Sequence, residues 1–159
     1  MRMAQLAGMD FVEHEDEESF DAASEDGDVM YGPEYVKALL NEMANAAFSA
    51  KGDEFADYAW RNRGRIRGAA VCHPEVGEML VLGYRFGISN GSGACMNDLG
   101  ALYYKGDIVE QDYAKAAELY EMAVGAGCFQ SIINLGYIYE YGCTGEPDHC
   151  KAYQWYSLA

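Results

Sequence analysis

The chain has 159 residues, which is enough for one domain, and half of them are hydrophobic, as expected for a packed fold. Its 26 Asp and Glu residues outnumber its 11 Lys and Arg residues, giving a net charge of −15. This charge argues against nonspecific binding to nucleic acid or an anionic membrane, because both need a cationic face. No apolar run reaches membrane-spanning length and no secretory signal pattern is present, so we expect a cytoplasmic protein with reduced cysteines.

Residues 1–30 carry most of the acidic excess. They hold ten acids and a single base, Arg2, and only scattered apolar residues such as Phe11, Val12 and Phe20. A segment of this composition cannot bury enough apolar surface to offset its chain entropy. We predict that residues 1–30 form an acidic disordered tail, with the folded domain covering residues 31–159.

The first predicted element of the folded domain is an amphipathic helix over residues 33–50. Pro33 suits the first turn of a helix, and the apolar residues Val36, Leu39, Met43 and Ala47 recur at helical spacing. We expect residues 31–52 to cap the helices that follow.

Residues 53–91 are predicted to form a degenerate repeat, because they keep the phase of a repeat found further along the chain. Gly52 precedes Trp60 by the same eight residues that separate Gly91 from a leucine in the next unit. We expect Trp60 to take that leucine's position, Arg61 to replace a packing glycine, and a long loop to lie near residues 72–74.

Four basic residues, Arg61, Arg63, Arg65 and Arg67, are concentrated within this segment. On a helix they form two stripes about 200° apart, so they do not make a single phosphate-tracking face. Two interpretations remain open: salt bridges to neighbouring acids such as Glu54, or docking of an acidic segment. That segment is either the tail in cis or part of a partner in trans.

Residues 92–127 and 128–159 repeat one pattern at a fixed offset of 36 residues. The matched positions are Leu99-Gly100 with Leu135-Gly136, Tyr103 with Tyr139, Gly106 with Gly142, Asp112 with Asp148, Lys115-Ala116 with Lys151-Ala152, Tyr120 with Tyr156, and Ala123 with Ala159. Repeats of 20–50 residues indicate a solenoid. The spacing predicts two helices per unit, a close helix contact at each Leu-Gly glycine, and an N-cap at each aspartate. The last repeat is truncated, so we expect either a longer array or a contact with another chain there.

The pattern Leu-Gly-x-x-Tyr-x-x-Gly, followed by Asp-x-x-Lys-Ala-x-x-x-Tyr-x-x-Ala, resembles the Sel-one-like (Sel1-like) repeat, a relative of the tetratricopeptide repeat. The resemblance implies an all-α fold: a right-handed superhelical solenoid of antiparallel helix pairs, with about seven helices in this chain. It also implies a non-catalytic adaptor that binds a protein or peptide partner and needs no cofactor.

The resemblance further implies where a partner would bind. Tetratricopeptide relatives use positions two before and two, five and six after the packing leucine, on the concave side of the first helices. In this sequence those positions are Asn97, Ala101, Tyr104, Lys105, Ile133, Tyr137, Glu140 and Tyr141. Aromatic residues of this kind are effective interface anchors.

Two other functions remain open at the level of sequence. One is a cysteine-rich Sel1-like enzyme of the penicillin-binding kind, which would need ordered disulfides, whereas Cys72, Cys95 and Cys128 occupy unrelated repeat phases. The other is a structural module that self-associates through an aromatic C-terminal face. Cys143, His149 and Cys150 surround one turn, but they are too few for a structural zinc site, so we expect no metal.

Overall fold

A computed structural model describes residues 31–159, and this part of the chain consists of helices and their connections. Its eight helices are α1 (Pro33–Ser49), α2 (Glu54–Arg61), α3 (Arg63–Cys72), α4 (Pro74–Ser89), α5 (Gly93–Lys105), α6 (Tyr113–Gly125), α7 (Gln130–Glu140) and α8 (His149–Tyr156). The predicted all-α repeat fold is confirmed. None of these eight helices is long and apolar enough to cross a membrane. The predicted tail, residues 1–30, lies outside the described residues.

Helix α1 is the predicted amphipathic helix. Pro33 stands in its first turn, where a missing N–H leaves no intrahelical bond unmade. Val36, Leu39, Met43 and Ala47 are buried along one face, which packs chiefly against α4. These side chains belong to the same apolar core as residues of α5, α6 and α7, so α1 and the repeats fold around one core.

The pairs α5–α6 and α7–α8 are built by the same contacts 36 residues apart. Asp112 caps α6 by accepting a hydrogen bond from the N–H of Lys115 at 3.0 Å, and Asp148 caps α8 through Lys151 at 2.9 Å. The backbone N–H of each aspartate donates to the carbonyl of the tyrosine nine residues earlier, at 2.9 and 2.8 Å. The predicted caps are therefore confirmed, and each fixes the connection between its two helices.

The predicted close contact within each pair is also confirmed. A methyl group placed on Gly100 would lie 2.8 Å from Cε1 of Tyr120, closer than carbon atoms approach, and Gly136 is covered by the ring of Tyr156 in the same way. Ala116 on α6 is fully buried, and its small side chain allows the two helices to lie close together. Glycine in a helix interior lowers helix stability by about 1 kcal/mol. Here the close packing of an aromatic ring against the glycine compensates for that loss.

The segment before the repeats has one helix more than predicted. The predicted first helix of residues 53–91 is broken at Asn62 into α2 and α3, so the described residues hold eight helices instead of about seven. The break follows Arg61, where a long charged side chain stands in place of the packing glycine. In this segment the close contact is made instead by Gly83 of α4, which is covered by the buried ring of Phe55 from α2.

Two local expectations for this segment are wrong. The connection near residues 72–74 is not a long loop, because His73 alone separates α3 from α4. Trp60 does not take the buried position of Leu99 and Leu135: its side chain is 40% exposed, whereas both leucines are fully buried. That residues 53–91 descend from a repeat stays a prediction.

Candidate interaction surface

The eight predicted partner-binding positions lie on or next to α5 and α7, the first helices of the two repeats. The structure divides them into three groups. Tyr104, Tyr137 and Tyr141 form an aromatic cluster, Ala101 and Lys105 line a cavity, and Asn97, Ile133 and Glu140 make contacts within the fold.

Tyr104, Tyr137 and Tyr141, here called the tyrosine ladder, connect the two repeats. The ring centroids of Tyr104 and Tyr137 are 6.2 Å apart, and those of Tyr137 and Tyr141 are 4.5 Å apart. Tyr104 is half-buried, hydrogen-bonds to the thiol of Cys143, and packs edge-on against Tyr113 at 5.2 Å. Its pKa is raised, first by burial and then by Cys143. Tyr141 is 60% exposed, so the tyrosine ladder extends from the half-buried ring of Tyr104 to the accessible ring of Tyr141.

Asn97 is 7% exposed and belongs to a polar cluster between the first helices of the two repeats. Its carbonyl oxygen accepts hydrogen bonds from Ser131 Oγ at 2.6 Å and from Asn134 Nδ2 at 2.9 Å. Ile133 is buried on α7, and the carboxylate of Glu140 accepts a 2.6 Å hydrogen bond from Tyr156 Oη. Asn97 therefore joins the two repeats, whereas Glu140 joins the two helices of the last repeat.

Beside the ladder lies a cavity of about 500 Å³ between α2, α3 and α5, with α4 contributing to its wall. Its lining combines apolar residues with both signs of charge. The apolar and aromatic lining residues are Ala56, Ala59, Trp60, Ile66, Leu80, Tyr84, Ala94, Ala101, Leu102 and Ile108, and the polar ones are Asp53, Asp57, Arg63, Arg67, Asn97, Asp98, Lys105 and Gln130. A cavity of this size is within the range of ligand-binding pockets, about 300–1,000 Å³.

Two of the acidic lining residues, Asp98 and Asp53, have hydrogen-bond partners within the fold. Burial raises the pKa of Asp98 to about 7; a hydrogen bond from Asn97 opposes that rise and the nearby carboxylate of Asp53 adds to it. The Oδ1 atom of Asp53 accepts hydrogen bonds from Ser92 Oγ at 2.6 Å and from the N–H of Ala94 at 3.4 Å. At neutral pH, Asp98 is therefore only partly ionised, and Asp53 is engaged at the start of α5.

The four arginines point in different directions, as their helical spacing predicts. Arg65 faces α1, where it lies 3.2 Å from the carboxylate of Glu42 and donates to Tyr35 Oη at 3.0 Å. Arg61 is exposed at the end of α2 and does not line the cavity. Arg63 and Arg67 line the cavity.

The two cavity-lining arginines each have a contact within the fold. The guanidinium of Arg63 lies 3.9 Å from the ring centre of Trp60, and Arg67 forms an ion pair with Asp107 of the α5–α6 connection. Arg63, Arg67 and Lys105 are called the basic triad below.

The cysteines do not form a cluster. All five are free thiols: Cys95 is buried, Cys128 and Cys143 are half-buried, and Cys72 and Cys150 are exposed. Among residues 31–159, no group of three or more His, Cys, Asp or Glu side chains is arranged to hold a metal ion.

Sequence reasoning missed the cavity, and with it Asp53, Asp98, Trp60 and Tyr84 as possible binding residues. These residues come from separate helices, so no spacing along the chain brings them together. The one available signal was the 36-residue offset between Tyr84 and Tyr120, which placed Tyr84 on an inward face but could not show what it lines.

Comparison with known families assigns the fold. The model of the Sel1 repeat family matches residues 93–128 and 130–159, which contain the α5–α6 and α7–α8 pairs. The chain therefore contains two Sel1 repeats, at residues 93–128 and 130–159. Repeats of this family generally mediate protein–protein interactions. No curated protein and no solved structure matches the chain.

Proposed function

We propose that this chain is a non-catalytic adaptor that binds a protein or peptide partner on the face formed by α5 and α7. The observation that carries the proposal is the tyrosine ladder, which crosses both repeats and ends in the exposed ring of Tyr141, next to a cavity lined by Ala101 and Lys105 of the same helix face. Tyrosine gives a large contact area at low entropic cost, which makes such a cluster a suitable anchor for a partner.

The ladder and the cavity offer two different kinds of contact. The outer rings Tyr137 and Tyr141 can pack against an apolar or aromatic side chain, while the cavity accepts side chains with polar or charged ends. Contacts within the fold already involve Asn97, Ile133 and Glu140, so we assign these residues a supporting role. We therefore narrow the proposed contact residues to Ala101, Tyr104, Lys105, Tyr137 and Tyr141.

Affinity capture from the source cells tests the proposal. We expect the wild-type chain to retain a specific partner and a Tyr137→Ala/Tyr141→Ala variant to lose it, with at least tenfold weaker capture, because removing two interface anchors typically costs more than about 1.4 kcal/mol. Tyr104 is left intact because it packs against Tyr113 and hydrogen-bonds to Cys143, so its removal would also perturb the fold.

Tyr153→Ala is the matched control, because Tyr153 is a 73% exposed tyrosine on α8, outside the ladder. Capture unchanged by Tyr153→Ala and lost with the ladder variant supports the proposal. Loss with Tyr153→Ala alone would contradict it and would place binding, or self-association, on the α8 face. All variants are first compared with the wild type by circular dichroism and thermal melting.

A further inference from the structure

The basic triad brings three of the chain's eleven Lys and Arg residues to one cavity. Arg63 and Arg67 stand one helical turn apart on α3, and Lys105 comes from the end of α5 on the other side. We propose that the acidic segment of residues 10–28 binds in this cavity in cis, with its carboxylates on Arg63, Arg67 and Lys105. This proposal keeps Arg63 and Arg67 from the four arginines predicted as a docking surface and adds Lys105.

The described structure begins at Tyr31, which lies against α3. Tyr31 packs against Gly68, the residue that follows Arg67 on α3, and the carbonyl of Tyr31 lies 2.8 Å from Nε2 of His73. An extended chain spans about 3.3–3.6 Å per residue. Asp28, only three residues before Tyr31, is therefore within about 11 Å of this anchor point, and every acid before it has enough chain to reach the triad.

The composition of the segment matches the cavity. All ten acids of residues 1–30 lie between Asp10 and Asp28, interrupted by the apolar residues Phe11, Val12 and Phe20. The cavity likewise pairs basic groups with an apolar lining, which includes Trp60 and Ile66. Because the segment is tethered, its effective concentration at the cavity is in the millimolar range, so weak contacts are sufficient for occupancy.

The acidic residues of the folded part oppose this binding, and three of them, Asp53, Asp57 and Asp98, line the cavity itself. Residues 31–159 carry a net charge of −6, but charges farther apart than about 8 Å are largely screened at physiological ionic strength. Inside the cavity, Asp98 is partly protonated near neutral pH because its pKa is about 7, and one oxygen of Asp53 is already hydrogen-bonded. Asp57 also lines the cavity and Asp107 pairs with Arg67, so binding depends on direct contacts of the segment's carboxylates with Arg63 and Lys105 and on the apolar lining.

Limited proteolysis of the full chain with a protease that cuts after glutamate tests the inference without any partner. At 150 mM salt, we expect Arg63→Gln/Lys105→Gln to be cut at Glu13–Glu25 about tenfold faster than wild type, since two lost ion pairs of up to about 1 kcal/mol each raise the unbound population by that factor. The glutamates that are cut are identical in the two proteins. Arg67 is retained because it also pairs with Asp107.

The matched control is Arg61→Gln/Lys37→Gln, which removes the same charge from exposed positions outside the cavity. We expect its cleavage rate to stay within twofold of wild type. Equal rates in all three proteins, or equal acceleration in control and triad variants, would overturn the inference.

Substitutions in the acidic segment test the same contact from the side of the carboxylates. Glu15→Gln/Glu17→Gln/Glu18→Gln should speed cleavage at Glu13 and Glu25, and combining it with the triad variant should add little, because both remove the same interaction. A multiplicative effect in the combined protein would contradict docking at the triad. Since no partner is needed, failure of this test is distinct from failure of the proposed adaptor function.

Discussion

Asp98 shows how burial changes the protonation of a single polar residue. Asp98 faces the cavity from α5, and its carboxyl is held in a poorly solvated position with Asn97 Nδ2 3.5 Å away. Burial disfavours the charged form of a carboxyl group and so raises its pKa, here to about 7. The folded state therefore keeps a proton on Asp98 over a pH range in which the unfolded chain has lost it.

The raised pKa of Asp98 predicts the sign of one contribution to pH-dependent stability. The pKa of an aspartate in an unfolded chain is about 3.9, so between about pH 4 and pH 7 the folded state binds more protons at this site and its stability falls as the pH rises. We expect Asp98→Asn to raise the free energy of unfolding on the order of 1–2 kcal/mol more at pH 8 than at pH 5. Urea unfolding at both pH values measures this difference.

The control for that measurement is Asp57→Asn, the same substitution at an exposed aspartate that also lines the cavity. We expect its stability change to be nearly the same at pH 5 and pH 8. An Asp98→Asn variant whose stability gain did not grow with pH would show that Asp98 titrates as an ordinary aspartate.

At the scale of helices, the two repeats are joined by a polar cluster as well as by apolar packing. Asn97 of α5 accepts hydrogen bonds from Ser131 and Asn134 of α7, and both of those residues are fully buried. Buried polar groups that lose their partners cost more than the bond itself contributes. Asn97 therefore fixes how α7 lies against α5, and so how Tyr137 meets Tyr104.

Replacing Asn97 tests this positioning role. We expect Asn97→Ala to lower the free energy of unfolding by about 1–3 kcal/mol, because Ser131 and Asn134 lose their shared acceptor inside the core. The control Asn90→Ala, at an exposed helix end, should change it by less than about 0.5 kcal/mol. A change at Asn97 as small as that at Asn90 would contradict the structural role and would leave direct contact with a partner as its function.

The elements that the sequence predicts are those whose contacts are local or repeated. The α5–α6 and α7–α8 pairs follow from short-range signals: an aspartate cap, a glycine facing an aromatic ring, and apolar residues at helical spacing. The break at Asn62 and the short turn at His73 have no such signal. They depend on packing between helices, because α2 and α3 both contact α4, and α2 also contacts α1.

The same distinction, between local patterns and contacts with neighbouring helices, explains which parts of the candidate site could be predicted from the sequence. The prediction that Tyr104, Tyr137 and Tyr141 share one surface follows from the resemblance to tetratricopeptide repeats, in which positions two, five and six after the packing leucine lie on the concave side of the first helix. The burial of Asn97 and the pairing of Glu140 with Tyr156 depend on the neighbouring helix and could not be read from spacing. The residues that line the cavity come from five helices and two connections, so only the structure shows it.

At the scale of the whole molecule, the eight helices of residues 31–159 place the tyrosine ladder and the charged cavity along the first helices of the repeats. The second helices present a different surface, which includes the exposed rings and chains of Met122, Tyr153 and Leu158. The account's central claim is that a partner binds to the first-helix surface.

Hydrogen–deuterium exchange of the full chain, with and without a partner recovered by capture, tests this claim most directly. We predict slower exchange on partner binding in residues 97–105 and 135–143, which carry the cavity wall and the ladder, and unchanged exchange in α6 and α8. Protection confined to α6 and α8, with the α5 and α7 segments unaffected, would contradict the account.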